Sequence, residues 1–166
     1  MTRENILFLR QKKYKVSWKA DGTRYIMAIL GPDQVFMIDR DNAVFKISNV
    51  KFPKRKDLNL HLQDILVDGE MVLDEVNGEK FPRYLIYDII RFGENKVGKM
   101  PFSTRLHCIE NELIKPRNIA VQKGLIDKKR EPFGIRLKVN LSNNPGLISC
   151  KLPKSRNEVN KSISNI

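Results

Sequence analysis

Between residues 25 and 47 no run of strand-forming residues is longer than six before a turn signal stops it. Tyr25 to Leu30 is aromatic and branched, and Gly31-Pro32-Asp33 follows. Val35 to Ile38 comes next, then Asp39-Arg40-Asp41-Asn42, then Val44 to Ile47. Strands this short, with turns this regular, predict an antiparallel meander. Upstream, Tyr14, Val16 and Trp18 alternate with Lys15 and Ser17, the period-two signature of a strand with one buried face. Lys19 stands where that alternation ends, and Asp21-Gly22 is a turn signal.

The rest of the chain adds strands and one helix. Asn5 to Arg10 is a short apolar entry. Phe52-Pro53-Lys54-Arg55-Lys56 reads as a solvated basic connector, and Leu58 to Gln63 as a short helix. Ile65 to Leu73 is an apolar strand with Asp68-Gly69-Glu70 at its centre, and Asp74 to Lys80 is a hairpin connection. Arg83 to Ile90 is a strongly apolar strand with Asp88 embedded. Ser103 caps a helix that runs to about Ile114, where Pro116 ends it. Leu106, Ile109 and Leu113 recur at helical spacing and form its core face. The expected fold class is α+β, rich in antiparallel sheet. From Gly134 onward the periodicity dissolves into Asn, Ser and Lys. The expected division is a domain over 1–134 and a flexible basic tail over 135–166.

At 166 residues the chain is one ordinary domain or part of a larger one. Hydrophobic content of 41% and charged content of 30% fit a globular protein. No apolar run approaches the roughly 18 residues of a membrane span, and the opening lacks a signal-peptide layout. Cys108 and Cys150 form neither a disulfide framework nor a metal-ligand spacing, which points to a reducing compartment. The formal net charge is +12, which favours a polyanionic partner such as nucleic acid. Residues 1–134 hold 25 Lys and Arg against 18 Asp and Glu, whereas residues 135–166 hold six against one, Glu158. The last 32 residues are therefore a different kind of sequence.

Several side chains could carry chemistry. Lys19 is either a solvated strand-end lysine or a nucleophile. A nucleophilic amine must be neutral, yet an unperturbed lysine titrates near about 10.4. A neighbouring cation lowers that value, and Arg24 is the candidate if its strand pairs across the Asp21-Gly22 turn. Attack of the Lys19 amine on a nucleotide α-phosphate would give a lysyl-nucleotide and release pyrophosphate. Asp68 and Glu70, two residues apart, share one face of a regular strand. They are either a structural pair at a bulge marked by Gly69, or a contact for ribose hydroxyls or a metal. Arg40 is a surface arginine or a phosphate and ribose contact. Tyr87 is a core aromatic or a stacking platform for a nucleobase. His61 and His107 have no partners at ligand spacing and receive no role.

Together these stretches resemble the covalent nucleotidyltransferase superfamily of messenger RNA capping enzymes and ATP-dependent ligases. Lys19-Ala20-Asp21-Gly22-Thr23-Arg24 resembles its Lys-x-Asp-Gly-x-Arg motif, Asp68-Gly69-Glu70 its second and Arg83 to Ile90 its third. From about residue 5 to Phe133 the chain is similar to the guanylyltransferase domain of animal-type capping enzymes. The resemblance implies an ATP-grasp-like nucleotidyltransferase domain and nuclear mRNA capping. Lys19 would form the phosphoamide with GMP, Arg24 and Arg40 would hold ribose and phosphate, and Asp68, Gly69 and Glu70 would line the nucleotide site. Tyr87 would stack on guanine. GTP and 5′-diphosphate RNA would be the substrates, Mg or Mn the metal, and the transcription machinery a partner.

The family's later motifs, an acid-glycine pair, a lysine pair and an oligonucleotide-binding barrel, do not follow. The expectation is a truncated domain with weak nucleotidyl transfer. An adenylating polynucleotide ligase and an inactive RNA- or partner-binding remnant are the two other readings.

Overall fold

The computed structural model describes residues 5, 8–11, 14, 15, 17–76 and 78–138. Its frame is one six-stranded sheet. The meander forms where expected, with β1 at Thr23–Gly31, β2 at Gln34–Ile38 and β3 at Val44–Ile47. A long hairpin follows, β4 at Ile65–Val76 and β5 at Glu79–Phe92. The spatial order is β3-β2-β1-β4-β5-β6, antiparallel throughout except for the last pair. With its few helices this is an α+β architecture.

Strand β6, Gly134–Leu137, runs parallel to β5 and pairs Arg136 with Leu85. The sheet therefore continues past the boundary expected at residue 134. Ile135 and Leu137 pack against the core from this short strand, too brief for its alternation to stand out in the sequence. The remainder of the expected tail, 139–166, lies outside the described residues.

Four further expectations change. Residues 17–20 are in no strand, and Lys19 sits on an extended strap that leads into β1. No helix forms over Leu58–Gln63. Backbone bonds there cross the loop instead, from Leu62 N–H to Phe52 O and from Lys54 N–H to Leu60 O, both 2.8 Å. Phe52 and Leu62 thereby enter the core, so the connector is solvated only at Lys54, Arg55 and Lys56. The helix also starts two residues early, with Pro101 rather than Ser103 at its cap, and does not stop at Pro116. It comprises α1 at Phe102–Cys108, a π-helical segment at Ile109–Ile114 and α2 at Lys115–Gln122. Proline lacks an N–H and its ring crowds the carbonyl four residues back. The wider π turn, where Lys115 N–H reaches Glu110 O, lets the helix continue through that position.

Leu106, Ile109 and Leu113 pack against Met27, Ile29, Val67, Tyr84, Ile86 and Ile89 on one face of the sheet, as their spacing predicts. The opposite face is left to the strap and its cleft. A buried ion pair anchors the helix end. Arg117 donates to both Glu131 oxygens at 2.7 and 2.9 Å and to the Lys51 carbonyl, with its guanidinium 5.0 Å from the Phe52 ring centroid. Both side chains are about 5% exposed or less. Removing one partner strands a buried charge. Arg117→Ala is expected to lower stability by about 3 kcal/mol in urea unfolding, at the lower edge of such losses.

Candidate functional site

Trp18 and Ala20 pack on Val72 and Leu85, which point away from the main core. An extended strap that buries every second residue turns the one between them outward, so Lys19 projects from the surface. Its side chain is 88% exposed. Gly22 closes the strap against β4. A Cβ there would lie 2.1 Å from the Met71 carbonyl oxygen, so only glycine allows this approach. The Gly22 N–H donates to Glu70 Oε1 at 3.1 Å, tying the lysine's turn to the carboxylate strand.

Asp68 and Glu70 share the face turned away from the helices, as their spacing requires. Asp68 is buried and fully engaged. Arg24 grips it with two bonds, Nε to Oδ1 at 2.9 Å and Nη2 to Oδ2 at 2.6 Å, and Tyr87 donates its hydroxyl to Oδ1 at 2.9 Å. Burial, then the bond to Asp68, pushes the Tyr87 phenol up to about 12, so it stays a donor at neutral pH. Arg24 is thus bound to Asp68, and the bond and charge of that carboxylate hold its pKa above the ordinary arginine range. It does not act as the cation expected to depress Lys19.

Lys19 itself moves the other way. Its Nζ lies 3.0 Å from Asp21 Oδ1, and this bond, the Asp21 charge and then Glu70 raise its pKa above the ordinary lysine range. In this state the amine is an ammonium held by its own turn. A phosphate entering beside it would have to compete with Asp21 for that proton-bearing nitrogen.

An open cleft of 640 Å³ lies over this turn, lined by Lys19, Asp21, Gly22, Arg40, Glu70 and Lys138 among others. The structure therefore brings Arg40, from the turn after β2, to the same cleft as Lys19 and Glu70. Tyr87 stands beside it with a ring face already in use: the Lys138 ammonium lies 5.4 Å from the Tyr87 centroid and 5.5 Å from that of Trp18. Lys138 and Trp18 are the site residues that motif spacing did not single out. The one signal was the alternation of Ile135 and Leu137 with Arg136 and Lys138, which spans only four residues. Asp88, next to Tyr87, turns to the helix side and binds Arg105 at 2.6 and 3.0 Å. Among the described residues no three His, Cys, Asp or Glu side chains group to hold a metal ion.

A sheet-borne carboxylate pair and a glycine-pinned lysine turn thus meet on one side of an α+β domain, at a cleft that Arg40 and Lys138 also line. The chain belongs to the family of the mRNA capping enzyme catalytic domain, whose model matches residues 1–152. It is 58% identical over 138 residues to the mRNA-capping enzyme of Danio rerio and 59% identical over 138 residues to that of Mus musculus. In both cases the match covers 83% of this chain and 23% of the relative. The mRNA-capping enzyme of Caenorhabditis elegans is 42% identical over 142 residues, covering 83% and 22%. The chain thus spans about a quarter of the length of these curated relatives. The family match also runs through residues set apart above as a tail.

The Asp21 contact has a direct consequence. Asparagine there keeps the turn but removes the charge that favours the ammonium. Asp21→Asn is expected to lower the Lys19 pKa, moving its titration toward neutral pH. NMR of ¹⁵N-lysine-labelled protein across pH measures this, with Lys19→Arg assigning the resonance.

Proposed function

We propose that this chain carries the lysine-guanylylating part of an mRNA guanylyltransferase with an ATP-grasp-like fold. Lys19 Nζ, once it has lost a proton, attacks the α-phosphorus of GTP. A phosphorus–nitrogen bond forms, the bond to the bridging oxygen breaks, and pyrophosphate leaves. The lysyl-GMP then passes its GMP to the terminal phosphate of 5′-diphosphate RNA, restoring the free amine.

The observation that carries this reading is the placement of Lys19 on one cleft with Arg40, Glu70 and Lys138. Arg40 and Lys138 supply positive charge where phosphates would sit. Glu70 is the carboxylate best placed for ribose hydroxyls, while Asp68 positions Arg24 and Tyr87 rather than meeting ligand directly. Tyr87 offers a ring for guanine once Lys138 moves from its face. A divalent Mg or Mn ion would accompany the nucleotide's phosphates and counter their charge. Capping of nascent transcripts places the reaction in the nucleus, in contact with the transcription machinery. The relatives' shared name, mRNA-capping enzyme, favours GTP over ATP.

The Asp21 contact also favours a slow reaction at neutral pH, since the nucleophilic form is scarce when the pKa is raised. Incubation with α-labelled GTP or ATP tests the reading. Acid-labile label from GTP, lost in Lys19→Ala, is the expected result, at a rate that rises with pH. In Asp21→Asn the rising limb moves to lower pH. Label from ATP alone sinks the guanylyltransferase assignment.

A further inference from the structure

Strand β6 brings a cation to the cleft side of the sheet that no carboxylate there claims. Register sets Arg24, Glu70, Leu85 and Arg136 in one row across β1, β4, β5 and β6. Arg136 therefore faces the same side as the carboxylates, two strands from Glu70, or about 10 Å at ordinary strand spacing. Lys138, two residues on, shares that side. The ladder reaches it, since its N–H donates to Ile86 O at 2.7 Å. Trp18, packed on Leu85 and Val72, stands in the same region with the Lys138 ammonium against its ring.

The Arg136 side chain makes no hydrogen bond or ion pair with any described residue. The nearby Asp74 is already bound to Arg83. Partial burial, then repulsion from Arg83, outweighs the pull of Asp74 and lowers the Arg136 pKa. An arginine repelled by a second cation gains most from an anion supplied by a ligand, and its planar fork suits a phosphate.

We propose that Arg136 binds the terminal phosphates of the acceptor strand, a single-stranded 5′-diphosphate RNA, and holds them beside Trp18 and Lys138 at the mouth of the Lys19 cleft. The proposal rests on the guanylyltransferase reading, which requires an acceptor to approach a lysyl-GMP from outside the nucleotide site. Arg136 is not among the residues lining the cleft. It is an acceptor-binding residue for the second half of the reaction and has no part in forming the lysyl-nucleotide.

Fluorescence anisotropy with a labelled ten-nucleotide RNA, carrying either a 5′-diphosphate or a 5′-hydroxyl, tests this without any chemical step. Arg136→Gln is expected to weaken binding of the diphosphate RNA about tenfold, the loss of one charge-assisted contact, and to leave the hydroxyl RNA within about twofold. The slope of log affinity against log salt falls by about 0.7 for the diphosphate RNA. Arg136→Lys keeps the charge without the fork and loses less, which guards against a folding defect in the glutamine variant. Unchanged binding of the diphosphate RNA by Arg136→Gln overturns the proposal. So does an equal loss for both RNAs, which marks a nonspecific basic surface. Labelling of Lys19 by GTP is read separately: its failure overturns the guanylyltransferase reading, while the RNA comparison still decides the role of Arg136.

Discussion

Gly69 has no side chain, and the ring of Tyr84 fills the place where one would be. A Cβ at Gly69 would lie 2.5 Å from Tyr84 Cζ and 2.6 Å from the Leu85 carbonyl oxygen. The Tyr84 hydroxyl continues past the gap to the Tyr25 carbonyl at 2.7 Å. One fully buried residue of β5 thus spans β4 and bonds to β1. The register of all three strands is locked by a missing methyl group, because a larger residue at 69 would push the tyrosine and its strand away. Asp68 and Glu70 flank that glycine, so the same packing that closes the core holds both carboxylates on the opposite face.

From that constraint the site follows. β5 bulges beside Asp68 and Gly69, and Tyr87 is the residue without a cross-strand partner. A bulge re-aims a side chain, and here the phenol reaches Asp68. Asp68 can be buried with a charge because Arg24 and Tyr87 satisfy it. Glu70, one step further along β4, instead bonds to the backbone of Gly22. The two carboxylates that look equivalent in the sequence therefore do different work: one holds an arginine and a tyrosine, and the other holds the turn that presents Lys19.

The helical layer supports this from behind. The π-helical segment carries the helix over Pro116, and Arg117 then ties its end to Glu131 and Lys51. Glu131 lies three residues before β6. The buried pair thereby fixes the chain just ahead of the strand that delivers Arg136 and Lys138 to the cleft side. A structural ion pair on the far face of the sheet sets where two cations stand on the near one.

The strands β1 to β5 and the helix's core face were legible from local pattern, since alternation, turn residues and helical spacing act over a few neighbours; of the residues marked around Lys19, Arg40 and Glu70 line its cleft, whereas Arg24, Asp68, Gly69 and Tyr87 do not. The supposed strand before Lys19 shows the limit of that logic. Alternation turned Trp18 inward, where it is half-buried against Val72 and Leu85, but Tyr14 of the same set stays exposed, and alternation says nothing about whether a partner strand supplies ladder bonds. Leu58 to Gln63 failed as a helix because its backbone groups found partners across the loop, at Phe52 and Lys54. Arg24 is not the cation that depresses Lys19, because Asp68, 44 residues away, binds it. β6 was missed because four residues carry little periodicity and its partner lies fifty residues earlier. The sequence alone determined which residues could form strands and turns and where the Lys19 turn motif lies, because those depend on local sterics and spacing. Only the tertiary structure decided which charges pair, that Lys19 rests as an ammonium on Asp21, and that Arg136 and Lys138 join the cleft side, because those outcomes depend on distances between residues far apart in the chain.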